Sequence, residues 1–223
     1  MINRKSRSQC TMPVDNGLKR EATGEKSTSI VDEEPRSKRP RLCQNIVIRP
    51  SDYVLAAFRV NGTKIDEVRE QTNERFVLPS DEMIKAYTSQ ALEAVRKNDL
   101  DGIKKLHADG KLGVTPCNKF GDSLLHLACR RSHTAMVKFL IEEVKVIVNI
   151  RDDFHRTPLH DATWTALPNF DLVELLIKEM PEHLIMQDVR GFTPFDYVRQ
   201  EDWGLWLRFL WERKEILKPK TCC

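Results

Sequence analysis

Three stretches of the chain carry the same order of polar and apolar positions. They are residues 123–128 (SLLHLA), 157–162 (TPLHDA) and 193–198 (TPFDYV), and they begin 34 and 36 residues apart. A second apolar cluster at helical spacing follows the first two, at residues 136–141 and 172–177. The pattern predicts repeated pairs of short helices, each of which needs its neighbours to bury its apolar face.

The residues around each repeat start fit the beginning of a helix. Thr157 can cap a helix through its side-chain oxygen, and Pro158 suits the first helical position. Two positions before the start stand Gly121, His155 and Gly191, where the preceding turn calls for a backbone conformation that glycine adopts freely and histidine less so. An asparagine or aspartate stands five positions before each start: Asn118, Asp152 and Asp188.

The segments that flank the repeats are less regular. Residues 80–97 predict one long helix that begins at an N-cap serine, and residues 101–107 predict its partner helix. The apolar run 53–60, followed by Asn-Gly, fits either a helix over 51–58 or a hairpin over 58–65. We expect residues 45–79 to pack on the outer face of the first repeat as a cap.

Residues 202–217 predict a last helix with Leu207 and Leu210 at the core positions. Three tryptophans, Trp203, Trp206 and Trp211, lie on the same helix. They cannot all share one face. Terminal repeats need a covered outer face, so we favour tryptophans that shield the end of the stack over tryptophans that anchor a partner.

The period and the string at residues 157–162 resemble the ankyrin-repeat family over about residues 80–217. The resemblance implies an all-α solenoid of helix-turn-helix units, with one divergent first unit followed by three recognisable ones. It also implies that His126 and His160 act as hydrogen-bonding spacers, and that Asp196 makes a different contact in the third repeat.

The same resemblance implies a binding surface. Loops between ankyrin repeats project as fingers, here about residues 113–122, 148–156 and 184–190, and line a concave groove that holds another protein. The longer turn at 163–170 adds two aromatic residues, which either pin that turn, as we favour, or form a binding hot spot. The candidate partner-binding residues are Lys119, Phe120, Arg130, Arg131, Arg151, Asp153, Phe154, Arg156, Trp164, Phe170 and Arg190.

Catalytic and metal chemistry find little support in the sequence. The spacing of His126, Cys129 and His133 could place two or three ligands on one helix face. Zinc needs a fourth ligand, however, the repeat pattern already employs His126, and we expect the turn after Cys129 to carry His133 away. The chain lacks the P-loop, dinucleotide-binding and zinc-protease motifs. We therefore expect no catalytic residues, no metal and no cofactor, and a non-catalytic adaptor or scaffold.

Charge separates the N-terminal segment from the rest. Residues 1–43 hold ten Lys and Arg against six Asp and Glu and few apolar residues, so we expect residues 1–44 to be a disordered basic tail. Arg36, Lys38, Arg39 and Arg41 are typical of a nuclear import signal, which would make importin a partner; a solvated basic tail is the alternative. The repeats carry mixed charge, which favours a protein partner over nucleic acid.

Residues 218–223 form a short C-terminal tail that ends in Cys222 and Cys223. Lipidation there would make the protein a membrane-peripheral adaptor, which is the alternative function. The tail is not a CaaX box, however, and stable anchoring takes two signals. We expect a soluble intracellular monomer without membrane contact, located in the nucleus or the cytoplasm, and we favour the nucleus.

Overall fold

The computed structural model describes residues 48–218. Its α-helices, in chain order, are α1 (Pro50–Val60), α2 (Ile65–Glu74), α3 (Asp81–Ala86), α4 (Ser89–Arg96), α5 (Leu100–Ala108), α6 (Leu124–Arg130), α7 (Thr134–Glu142), α8 (Pro158–Thr163), α9 (Phe170–Glu179) and α10 (Trp203–Glu212). Short 3₁₀ helices span Pro181–Ile185, Pro194–Tyr197, Gln200–Asp202 and Lys214–Ile216. This part of the chain has isolated β-bridges but no extended strand, so the expected all-α class is confirmed.

The repeats stack through their first helices. Helix α6 packs between α4 and α8, and α8 packs in turn against the 3₁₀ helix Pro194–Tyr197, which starts the last repeat. The second helices α7 and α9 pack against each other as a further layer. One continuous apolar core runs through all the units, as expected for a solenoid in which each repeat buries its neighbours.

Two buried histidines join successive repeats. His160 Nδ1 accepts the Thr157 backbone N–H at 3.0 Å, and its Nε2 donates to the Phe192 carbonyl of the next finger at 3.2 Å. His126 makes the equivalent bond to the Arg156 carbonyl at 3.0 Å. In the third repeat the Asp196 carboxylate caps its own helix by accepting the Thr193 N–H at 2.8 Å, and within residues 48–218 its hydrogen bonds go to Thr193 alone. The predicted spacer role and the different contact of Asp196 are both found.

The turn that precedes each repeat start has the expected left-handed backbone. Gly121 and Gly191 have φ of +78° and +81°, and His155 takes φ of +60° at the equivalent position. A Cβ atom at Gly121 would lie 2.3 Å from the Arg151 carbonyl oxygen, so both the dihedral and the space require glycine there.

The N-terminal segment folds as helix α1, and the hairpin alternative is wrong. Gly62, at φ +76°, ends the helix while the Thr63 N–H returns to the Phe58 carbonyl at 3.0 Å. The expected single helix over 80–97 is also wrong, because it is divided into α3 and α4. Thr88 caps the second of them by accepting the Ala91 N–H at 3.2 Å, and Tyr87 before it leaves helical geometry.

The placement of α1 and α2 corrects our expectation of a cap on the first repeat. Helix α1 packs against α10 and the 3₁₀ helix Pro194–Tyr197, and α2 packs against the 3₁₀ helix Pro181–Ile185. Arg69 Nε donates to the Ile185 carbonyl at 2.8 Å, and Asn61 Nδ2 to the Leu217 carbonyl at 3.2 Å. The N-terminal segment therefore covers the last repeat.

A strap, residues 75–83, then leads from the last repeat back to the first. Phe76 stacks on His183 at 5.7 Å between ring centroids, and the Val77 N–H donates to the Asn149 carbonyl at 3.1 Å. Further along, the Cys117 N–H donates to the Met83 carbonyl at 3.2 Å. Along the strap, these contacts therefore lie near the third finger, then the second and finally the first.

The last helix is shorter than predicted and has a different core register. Helix α10 ends at Glu212, and Trp206, Phe209 and Leu210 are its buried residues, whereas Leu207 is only half-buried. Trp206 contributes to the core, in line with the shielding role. Trp211, by contrast, is exposed.

Candidate functional site

The three fingers share one internal geometry. In each, the Asn or Asp side chain five positions before the repeat start accepts two backbone N–H groups: Asn118 from Phe120 and Asp122, Asp152 from Phe154 and Arg156, and Asp188 from Arg190 and Phe192, all at 2.8–3.1 Å. The Asp188 N–H also donates to the Phe192 carbonyl at 2.9 Å, which extends the third finger to residue 192. These bonds fix the loop tips.

Each finger also presents a phenylalanine to solvent with a cation stacked on it. Phe120, Phe154 and Phe192 are 51%, 54% and 46% exposed. Lys119 lies 4.9 Å from the Phe120 ring centroid, Arg156 lies 5.0 Å from Phe154, and Arg190 lies 5.1 Å from Phe192. We call these three rings the phenylalanine row. Each ring is about half exposed; Phe120 and Phe154 lie near the tips of their loops, whereas Phe192 lies directly before the start of its repeat.

The second and third fingers place their opposite charges at different depths. The Asp152 side chain is 2% exposed and the Arg156 side chain 20%, with Arg156 Nε donating to Asp152 at 2.8 Å. Asp188 is likewise 2% exposed, whereas Arg190 is 60% exposed. Burial alone would raise the pKa of Asp188, but hydrogen bonds from Tyr197, Arg190 and the Phe192 backbone outweigh it and lower that pKa. In both fingers the guanidinium group is therefore more exposed than the carboxylate that it pairs with, although the two charges of each pair are equal and opposite.

A cleft lies between the second and third fingers. Its walls are Phe154, Arg156, Trp164, Asp188, Val189, Arg190 and Tyr197, and its volume is about 270 Å³. Trp164 is 55% exposed and lies 5.9 Å from the Tyr197 ring. The Val189 N–H donates to the Phe154 carbonyl at 3.0 Å, so the two fingers are hydrogen-bonded to each other.

Arg130 holds two carboxylates together beside the cleft. Its Nη2 donates to Asp122 Oδ1 at 2.8 Å, and its Nη1 lies 3.1 Å from Asp161 Oδ2. The second contact is an ion pair rather than an aligned hydrogen bond, since neither Asp161 oxygen accepts one among the described residues. Burial raises the pKa of Asp161 to about 6, against the attraction of nearby positive charges.

Comparison with known proteins agrees with this geometry. Residues 91–194 match the family model of ankyrin repeats in three copies. Residues 91–194 are therefore ankyrin repeats. A probable serine/threonine-protein kinase of Dictyostelium discoideum is 29% identical over 72 residues, which are 32% of this chain and 7% of the kinase. The matching stretch is thus a small part of that kinase, and the likeness carries no kinase activity to this chain.

Ankyrin repeats are generally protein-binding modules and typically have no catalytic activity. The candidate metal ligands of α6 and its following turn are held in other contacts. His126 bonds the Arg156 carbonyl, His133 Nδ1 lies 3.0 Å from the Val95 carbonyl, and Cys129 is fully buried. Within residues 48–218, no group of three His, Cys, Asp or Glu could hold a metal ion.

The structure brings four of the candidate residues together in the cleft: Phe154, Arg156, Trp164 and Arg190. Lys119 and Phe120 lie at the first finger, Arg130 lies between its two carboxylates, and Arg131 and Asp153 are exposed.

Two candidates have structural contacts instead. Arg151 is half-buried over the Phe76 ring of the strap, 4.7 Å from its centroid. Phe170 packs against Trp206 and Phe209 at 4.9 and 5.0 Å, as in the pinning alternative. Sequence reasoning missed Val189, Phe192 and Tyr197, although an apolar residue between Gly191 and Thr193 was a usable signal.

Two sets of candidates lie outside the described residues. They are the import cluster (Arg36, Lys38, Arg39 and Arg41) and the terminal pair Cys222 and Cys223. Across 48–218, none of the helices has the length and apolar character that a membrane span requires.

Proposed function

We propose that this ankyrin-repeat protein is a non-catalytic adaptor that binds a protein partner across its three fingers. The observation that carries the proposal is the phenylalanine row. Exposed aromatic rings on rigid loops are typical anchors of protein interfaces, because they bring a large contact area with little loss of side-chain freedom.

The charges on the same surface favour a protein over a nucleic acid. Asp122, Asp152 and Asp188 alternate with the cations of the fingers, whereas a phosphate backbone needs a continuous basic stripe. The fingers are also fixed by their Asn and Asp side chains, so a partner would meet a preformed surface.

Partner capture with a matched pair of triple variants tests the proposal. Phe120→Ala, Phe154→Ala and Phe192→Ala together remove the row, whereas Val60→Ala, Leu167→Ala and Leu205→Ala remove exposed apolar side chains elsewhere. A protein that the native chain captures should be lost on the first variant and kept on the second. At least one phenylalanine should cost about 2 kcal/mol, or about thirtyfold in Kd. Equal capture by both variants contradicts the proposal.

Nuclear import through the basic cluster is a separate part of the proposal. It rests on the density of Lys and Arg at Arg36, Lys38, Arg39 and Arg41. Replacing all four by alanine should move the full chain from nucleus to cytoplasm, as seen by fluorescence imaging of a tagged protein. An unchanged distribution would end this part and leave partner binding untouched.

A further inference from the structure

The cleft between the second and third fingers presents arginines in front of buried carboxylates. Arg156 employs Nε and Nη2 on Asp152, and Arg190 employs Nε on Asp188 and Nη2 on the Tyr197 hydroxyl. Among the described residues, neither Nη1 has an acceptor within hydrogen-bond reach. Each of these two cleft-lining arginines therefore keeps an Nη1 group without a hydrogen-bond partner in the described part of the chain.

The rest of the cleft is apolar. Phe154, Trp164, Val189 and Tyr197 contribute side chains to its walls, and its volume of about 270 Å³ accommodates a side chain rather than a whole ligand. Hydrogen bonds fix two of the wall residues. Tyr197 donates its hydroxyl to buried Asp188, and the Val189 N–H joins the third finger to the second. A cleft of this kind is preformed for an apolar side chain.

We propose that the cleft binds a short extended segment of the partner in which an apolar side chain stands next to an acidic one. The apolar side chain enters between Phe154, Trp164 and Val189. The neighbouring carboxylate then meets the free Nη1 donors of Arg156 and Arg190, and guanidinium–carboxylate contacts are among the strongest hydrogen bonds in proteins. This inference rests on the proposed function, and it names the chemistry of the partner.

The same arrangement disfavours a cationic ligand. Arginines already lie over two of the rings that a lysine or a quaternary ammonium would use, Arg156 over Phe154 at 5.0 Å and Arg190 over Tyr197 at 5.5 Å. The carboxylates that would attract such a ligand are buried behind those arginines. A basic segment would therefore be repelled at the rim.

Peptide display tests this chemistry even while the partner is unidentified. Random twelve-residue peptides are selected on the full chain, with counter-selection on Trp164→Ala. We expect enrichment of Leu, Met, Ile or Phe beside Asp or Glu. The enriched peptides should lose about tenfold in affinity on Arg190→Gln, as measured by fluorescence anisotropy, because a charged hydrogen bond is removed.

The control is Arg208→Gln, which changes an exposed, ion-paired arginine on α10 and should leave the affinity unchanged. Arg190→Lys keeps the charge but loses the planar fork, so it should recover the affinity only in part. Circular dichroism confirms that each variant is folded.

Enrichment of basic peptides, absence of any enrichment, or equal binding by Arg190→Gln and the native chain would each overturn the inference. The proposed function fails separately. If the phenylalanine row is needed for capture but the peptide test fails, partner binding by the fingers is supported and only the proposed apolar–acidic ligand of the cleft is refuted.

Discussion

Because α1 packs on the last repeat, we expect truncation of Phe58 to destabilise that end of the stack. This side chain is fully buried, and α1 has its main contacts with α10 and the 3₁₀ helices Pro181–Ile185 and Pro194–Tyr197. Phe58→Ala removes most of the side chain and leaves a cavity between α1 and the end of the stack. Val60→Ala, two residues later on the same helix, removes a side chain that is 87% exposed.

The expected loss for Phe58→Ala is about 3–5 kcal/mol of the free energy of unfolding, which is typical when a buried phenylalanine is truncated. With a urea dependence of about 2 kcal/mol per molar, the midpoint should fall by about 2 M. Val60→Ala should change the stability by less than about 0.5 kcal/mol, because a surface side chain leaves no cavity.

Two measurements locate the damage. Trp203, Trp206 and Trp211 lie on α10 and Trp164 is the chain's fourth tryptophan, so intrinsic fluorescence reports mainly on the last repeat. Amide hydrogen exchange should show faster opening of α10 than of α5 in Phe58→Ala. Faster opening of α5 alone would indicate that α1 packs on the first repeat, and it would refute the placement on the last one. Equal stability of the two variants would also refute it.

Three further predictions concern single side chains. Phe170→Ala should lower the free energy of unfolding by about 3 kcal/mol and spare partner affinity, whereas Trp164→Ala should do the reverse, as shown by urea titration and binding isotherms. Gly121→Ala should cost more than about 1 kcal/mol in thermal unfolding, because its φ is positive and a Cβ would collide with the second finger. The pKa of Asp161, about 6 against an ordinary 3.8, means that its contribution is fully present below pH 3.8 and is lost as pH rises through 6. Asp161→Asn should therefore gain stability relative to the native chain between pH 4 and 7, by up to about 3 kcal/mol, and Asp153→Asn should not.

The repeat architecture could be predicted because its signals are local. The spacing of the string at residues 157–162, the left-handed position of His155 and the histidine spacer all depend on residues close in sequence or one period away. Each of these contacts joins residues of one repeat or of two adjacent repeats, so it can be predicted without knowing how the rest of the chain folds.

The end of the stack that α1 covers could not be predicted in this way. An amphipathic helix shows which face is apolar but not which distant face it meets. Nothing near Phe58 distinguishes the outer face of the first repeat from that of the last. The strap that joins them is held by contacts between residues far apart in sequence, such as Val77 to Asn149 and Phe76 to His183.

Only part of the candidate binding surface could be predicted, because the rest also depends on contacts between residues far apart in sequence. Phe154 and Arg190 follow from their finger positions, but the third finger exchanges the aromatic and basic residues of the second, so Phe192 falls where Arg156 would stand. Tyr197 lines the cleft with its hydroxyl bonded to Asp188 and its ring against His160 and Trp164. Such contacts depend on three-dimensional neighbours.

Hydrogen exchange of the native chain, with and without a captured partner, tests most directly whether the fingers bind a protein. We expect protection of amides in residues 118–122, 152–156 and 188–192, with little change in α7 and α9. Protection confined to the groove between α1 and α10, where Trp211 is exposed, would contradict it.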